Sequence, residues 1–267
     1  MGELVFVGLG LYDENDISLR GIEEVKKADS VFTELYTSLI EGLAIAKLEN
    51  LIGKKIVLVS RRMLEEEDGR QILAAAQQGK TVFLVPGDPL IATTHVDLRI
   101  RAEKAGIKTR IVHGASIISA AIGLSGLQNY KFGRSVTIPF TDSGDISETP
   151  YNVVKANLKT GLHTLCFLDI RVEENRYMTI KEALETLLVM EKRKRESIIT
   201  QDMLVVGIAR AGSRKPVVKA GMLDEVLGYD FGNPPHTMIF PGKLHFMEVE
   251  ALIKLAKAPE SIRKLTR

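Results

Sequence analysis

A chain of 267 residues can bury roughly three quarters of its unfolded surface, in one large domain or two smaller ones. Apolar residues make up 45% and charged residues 26%, and 36 basic against 34 acidic side chains leave a net charge of +2, which excludes any global pull toward nucleic acid or an anionic membrane. No apolar run reaches the length of a membrane span, and the start MGELVFVGLG has neither a basic region nor a small-residue cleavage site, so a cytoplasmic protein is expected. The single cysteine, Cys166, excludes an internal disulfide and a cysteine-built zinc cluster, and its setting HTLCFLDI reads as buried packing.

The first half alternates strand and helix with short connections. Residues 4–7 read as a strand leading into the turn Gly8-Leu9-Gly10-Leu11. The glycine pair is only a fragment of a dinucleotide fingerprint, because the sixth position is Asp13, so no pyrophosphate clamp is expected there. The acidic cluster that follows reads as a solvated turn opening a helix over 17–27. Strands are expected at 31–35 and 55–59, and helices at 43–51 and 63–78, the latter closed by Gly79. Residues 81–85 form a β-branched, apolar strand, stopped by Pro86-Gly87-Asp88-Pro89. Over 95–105 a two-residue alternation competes with a helical reading, and the position between two strands, ending at Gly106, favours helix. A strand at 107–112 and a short helix at 117–122 follow. This is the pattern of a mostly parallel sheet with helices on its faces.

The glycine-rich stretch GLSGLQNYKF over 123–132 marks a change of rhythm. An N-terminal α/β domain over 1–113 and a C-terminal α/β domain with a mixed sheet over 114–267 are expected. In the second half, strands are expected at 134–140, 163–169, 203–209 and 237–240, with 217–220 as a hairpin partner of 203–209. A polar loop over 141–148 leads to a helix ending at Thr160, with Thr149 as its cap and Pro150 in its first turn. Thr179 and Glu182 have capping-box spacing ahead of an apolar stripe, and a last helix is expected over 248–257. The charge run 192–196 reads as a solvated helix end.

No G-x-S-x-G elbow, phosphate-binding glycine loop or H-E-x-x-H motif occurs, and the five histidines are never at ligand spacing, so no metal site is expected. What remains is a set of small-residue and polar turns at strand ends, drawn from both halves. Such turns can line one cleft between two domains, and a site of that kind works by positioning and desolvation.

The pieces GLGLYDENDIS, ELYTS, PGDPLIATTH, GASIISA, GLQNYKFG, GLHTLCFLDI, RYMT, GIARAGS and PPHTMIFPGKLH, in this order, resemble the archaeal branch of the diphthine synthase family, within the tetrapyrrole-methylase-like (class III) methyltransferases. The resemblance runs nearly end to end. It implies two α/β domains with the active site in the cleft between them, a homodimer, and S-adenosylmethionine as cofactor. It further implies translation elongation factor 2 as protein substrate, methylated on the amino group of a modified histidine. Carried over by matching motif, the cofactor contacts fall on Leu11, Asp88, Ile91, Ser116, Ile117, Leu168, Ala211 and His236. The apolar members of that set are also what ordinary core packing supplies. Asp88 is the one charged group among them, and it can hold the cofactor, orient the incoming amine or take up its proton, a role bulk water can also serve. A corrin or porphyrin precursor methyltransferase of the same superfamily, and a non-catalytic module that binds an adenosine ligand, are the competing readings.

Overall fold

The computed structural model describes residues 2–141 and 146–266, so residues 142–145 of the expected polar loop lie outside the described residues. The chain divides into two compact units, one of residues up to 117 together with 171–175, the other of 118–170 together with 176 onward.

The first unit contains β1 (Glu3–Gly8), α1 (Leu19–Lys26), β2 (Ser30–Thr33), α2 (Ile45–Ile52), β3 (Val57–Leu58), α3 (Arg61–Glu65), α4 (Arg70–Gln78), β4 (Lys80–Val85), α5 (Val96–Lys104) and β5 (Lys108–Val112). Its strands form one sheet in the order β3-β2-β4-β1-β5, every neighbouring pair parallel. Val5, Val7, Val82 and Leu84 point into a core closed by α1 and α2; Leu4, Phe6, Phe83 and Val85 point into a second core closed by α4 and α5. Burial on both faces explains why these strands read as unbroken apolar runs. From β1 the chain passes over β4's place to β2 and outward to β3, then returns to β4 and crosses β1 to β5. The strand order therefore reverses beside β1 and β4, the position where ligands sit in open parallel sheets.

Two elements of this unit differ from the sequence expectation. The single helix expected over 63–78 is broken into α3 and α4, because Asp68 and Gly69 adopt left-handed angles (φ 60° and 62°) that a right-handed helix cannot pass through. The strand expected over 55–59 shrinks to Val57–Leu58, exposed at the sheet edge. The ambiguous 95–105 segment is helical: its buried pair is Leu98 and Ala102, four residues apart, as one face of a helix requires.

The second unit contains α6 (Ile117–Ser125, whose first residue closes the first unit), β6 (Val136–Ile138), α7 (Thr149–Lys159), β7 (Thr164–Leu168), the short strands β8 (Ile170–Arg171, whose second residue belongs to the first unit) and β9 (Arg176–Tyr177), α8 (Ile180–Lys194), β10 (Leu204–Ala209), β11 (Val217–Met222), α9 (Leu223–Leu227), β12 (His236–Phe240) and α10 (Phe246–Leu255). Its main sheet runs β11-β10-β12-β7-β6, antiparallel except for the β6–β7 pair. The α8 capping box forms as its spacing predicts: Thr179 Oγ1 accepts from the Glu182 N–H at 3.2 Å, and Glu182 Oε2 accepts from the Thr179 N–H at 2.8 Å. Thr149 is not the cap of α7. Glu148 occupies that place, and Thr149 and Pro150 are the first helical residues, where a missing N–H is harmless. Cys166 is fully buried on β7, and burial pushes its thiol far above the ordinary range.

A buried polar knot ties α10 to the sheet. The fully buried Glu248 carboxylate accepts from the backbone N–H groups of Gln128 and His245 at 2.8 Å each, from His163 Nε2 at 2.8 Å, and from the Lys131 ammonium. His163 Nδ1 accepts from the Gly242 N–H at 2.9 Å, which assigns the imidazole proton to Nε2. Burial works to raise the Glu248 carboxyl, but the His245 N–H and the Lys131 ammonium outweigh it and hold its pKa at about 2. A carboxyl depressed in this way contributes stability that is complete above its unfolded value of 4.5 and is lost as pH falls toward 2. Glu248→Ala leaves four donors without their acceptor, that of the fully buried His163 among them, and is expected to destabilise the fold by about 3–5 kcal/mol, measured by urea denaturation at pH 7, with the difference from wild type shrinking below pH 4.

Candidate active site

The carboxyl ends of β1, β4 and β5 converge through glycine. Gly10 and Gly87 form an isolated antiparallel bridge, with Gly87 N donating to Gly10 O at 2.7 Å and Gly10 N to Gly87 O at 3.2 Å. Gly87 has φ 68°, which a side chain resists. A Cβ on Gly8 would sit 2.5 Å from the Gly87 carbonyl oxygen and 2.6 Å from Gly114 N; one on Gly114 would run into the same carbonyl and within 2.9 Å of the Gly8 backbone. Three strand ends thus meet main chain to main chain, and the loops they carry open beside one another.

The first of these loops is held from inside. Asp16 Oδ2 accepts from the N–H groups of Leu11 at 3.0 Å and Tyr12 at 2.7 Å. Asp16 is therefore an internal acceptor for this turn, unlike the solvated acidic cluster expected from sequence. The N–H groups a phosphate would need are already used, consistent with the missing sixth-position glycine.

The second loop carries Asp88, which is 6% exposed. Its Oδ1 accepts from the Leu90 N–H at 3.3 Å, and its Oδ2 lies 2.7 Å from His113 Nδ1. Ile91 is 42% exposed, and the next residue, Ala92, sits at φ 56°, a conformation rare outside glycine and often found at ligand-binding turns. Ser116 and Ile117, both half-buried, follow the third loop at the start of α6.

Beneath the Asp88 turn lies a polar cluster that sequence reasoning did not carry into the site. Glu34, fully buried after β2, accepts from the N–H groups of Tyr36 at 2.8 Å and Thr37 at 3.0 Å and from the Thr37 hydroxyl. His95, 2% exposed, faces the Pro89 carbonyl through Nδ1 at 3.3 Å, while its Nε2 has no hydrogen-bond partner among the described residues and lies 3.8 Å from Glu34 Oε1. Burial raises the Glu34 carboxyl and pushes the His95 imidazole down to about 4. His95 and His113 stand at either side of a strand-end turn, and that position in the sheet was the signal available in the sequence.

In the second unit, the register Ala209↔His236 and Phe167↔Thr237 brings Leu168, Ala211 and His236 to one end of three adjacent strands. The His236 ring is engaged in structure. Its Nδ1 accepts from the Ile180 N–H at 3.4 Å, and its Nε2 donates to the carbonyls of Gly232 at 3.1 Å and Asn233 at 3.2 Å. Burial lowers its pKa accordingly. Arg210, at φ 51°, fixes the same turn: its N–H donates to Pro235 O at 2.8 Å and its guanidinium to Phe231 O at 2.9 Å and to Asn233 O. A ligand at His236 would therefore meet a rigid backbone more than a mobile imidazole.

The residues fit an adenosine-type ligand. Leu11, Ile91 and Ile117 supply apolar surface, glycine turns supply close approach, and Asp88 supplies one buried acceptor. Among the described residues no group of three or more His, Cys, Asp or Glu side chains is placed to hold a metal ion, and no helix is long and apolar enough to cross a membrane.

Comparison with known proteins agrees with this architecture. The family described as Tetrapyrrole (Corrin/Porphyrin) Methylases matches residues 3–227. The chain belongs to this methyltransferase family, in its diphthine synthase branch. It is 52% identical to a diphthine synthase of Methanosarcina mazei over 97% of this chain and 98% of that one, and 49% identical to a diphthine synthase of Methanocaldococcus jannaschii over 93% and 97%. A crystal structure of diphthine synthase superimposes with a TM-score of 0.89 at 44% identity, covering 99% of this chain and 100% of that one. The two-domain α/β fold expected from sequence is thus the fold of the family, and the chain is an enzyme.

Two outcomes test this geometry. Gly114→Ala places a Cβ against rigid main chain and is expected to destabilise the protein by about 2–4 kcal/mol in urea denaturation. His95 is held neutral in the fold, so below pH 6.5 the unfolded chain binds a proton that the folded chain refuses, down to about pH 4. Wild type should therefore lose stability relative to His95→Gln as pH falls through that window, by up to about 3 kcal/mol in denaturation midpoints converted to free energy.

Proposed function

We propose that this chain is the S-adenosylmethionine-dependent methyltransferase that trimethylates the amino group of the 3-amino-3-carboxypropyl-modified histidine of translation elongation factor 2, giving diphthine. The observation that carries this reading is the 49–52% identity to proteins named diphthine synthase over nearly the whole of both chains. In this reading the chain works in the cytoplasm as a homodimer, with elongation factor 2 as its protein partner.

S-adenosylmethionine would be held by the residues matched by motif, Leu11, Asp88, Ile91, Ser116, Ile117, Leu168, Ala211 and His236; when bound it supplies an electrophilic methyl group on a sulfonium whose leaving form is neutral. That chemistry needs neither a metal ion nor a general acid. The protein's task is to hold an unprotonated amine in line with the methyl carbon and to keep water out, and positioning of this kind can supply up to ~7–11 kcal/mol of barrier reduction. Glycine-to-glycine packing suits that task, because main chain held by main chain has little freedom to drift. Asp88, buried and hydrogen-bonded on both oxygens, is placed to orient rather than to move.

The decisive experiment is intact-mass analysis of elongation factor 2 carrying the unmethylated 3-amino-3-carboxypropyl histidine, after incubation with this protein and S-adenosylmethionine. A gain of three methyl masses on that histidine is expected. No gain on it, together with methylation of a corrin or porphyrin precursor, would replace this reading with the tetrapyrrole one.

A further inference from the structure

The five histidines divide by what their ring nitrogens do. His163 is wholly buried, with both nitrogens used by Gly242 and Glu248. His236 uses both for the backbone of its own turn and of α8. His245 caps α10 by accepting from the Met247 N–H, and His95 is buried under the Asp88 turn. His113 alone joins a buried carboxylate to an exposed imidazole: its side chain is 75% exposed, and its Nδ1 lies 2.7 Å from Oδ2 of Asp88, which is 6% exposed.

That arrangement has a direction. An ionised carboxylate only accepts, so His113 Nδ1 carries the proton of this hydrogen bond, and Nε2 is turned away from Asp88 as the nitrogen able to take up another. The second Asp88 oxygen is fixed by the Leu90 N–H, so the carboxylate does not rotate away. His113 itself directly precedes Gly114, the residue packed against Gly8 and Gly87, so the ring is anchored at the meeting point of the three site loops. A carboxylate holding one imidazole nitrogen so that the other serves as base is a recurrent catalytic arrangement.

We propose that His113 is the proton acceptor of the methyl transfer and that Asp88 is its positioning residue, an assignment that rests on the methyltransferase reading above. The substrate nitrogen arrives as an ammonium; its N–H bond breaks with the electron pair left on nitrogen, giving the unprotonated amine, and the proton goes to His113 Nε2 and from there to solvent. The nitrogen pair forms the bond to the methyl carbon of the sulfonium donor, and the pair of the broken carbon–sulfur bond stays on sulfur. Each transfer begins with one such deprotonation, of the primary ammonium and then of its mono- and dimethylated forms. The trimethylammonium product has no proton left to lose, so one exposed base that passes its proton to water suits repeated turnover.

The first test needs no substrate. The ¹⁵N spectrum of the free protein should show His113 protonated on Nδ1 with a bare Nε2 at pH 8, and Asp88→Asn should abolish that single tautomer; a ring protonated on Nε2 overturns the proposal. The second test uses elongation factor 2 with the unmethylated side chain. His113→Gln is expected to lower kcat by about 10²–10⁴-fold, while affinity for S-adenosylhomocysteine by calorimetry and KM for the methyl donor stay near wild type. Added imidazole should restore His113→Ala by tenfold or more. An unchanged kcat, a loss that follows cofactor affinity, or no response to imidazole each overturns the assignment. Wild type that binds cofactor and shows the Nδ1 tautomer yet methylates nothing overturns the reaction reading, and the base role with it.

Discussion

The approach of Gly8, Gly87 and Gly114 governs the rest of the first unit's chemistry. Three carboxyl-terminal strand ends come so close that no side chain fits between them, and the contact is carbonyl and amide against α-carbon. This contact fixes the spacing of the loops behind it and thereby the position of Asp88 relative to His113. It also makes the floor of the site main chain, which offers close approach to a flat ligand and gives little conformational freedom.

The buried and half-buried polar groups of the two units fall into three kinds. Asp16, His236 and Arg210 are spent on backbone: they satisfy N–H and carbonyl groups of turns that have no ladder partner. Asp88 and His113 are arranged differently, with a buried acceptor feeding an exposed ring, and Glu34 and His95 differently again, with two buried groups whose charged forms burial disfavours. The distinction comes from burial, since aspartate and histidine appear in more than one of them. It also explains why a methyltransferase site of this type needs few charged side chains: the reaction's leaving group is neutral, and the work is alignment and proton removal.

The second unit makes its contribution by rigidity. Glu248, held by four donors, locks α10 to the sheet, and the Arg210 guanidinium with the His236 ring locks the turn before β12. Residues matched to the cofactor set in this unit thus sit on strand ends that cannot easily shift.

The sequence by itself determined the alternation of strand and helix, the parallel first half, the mixed second half and the α8 cap, because each depends on local periodicity or on donors and acceptors three residues apart. Its motifs also carried the family. Only the tertiary structure decided the break at Asp68-Gly69, the inward role of Asp16, the engagement of the His236 ring, and the pairing of Asp88 with His113 across 25 residues. Periodicity and composition say nothing about which strand lies beside which, and β4 and β5 flank β1 only through the crossover of the chain. The Asp88–His113 pairing arises from that strand order, so it exists in space and has no signature along the chain.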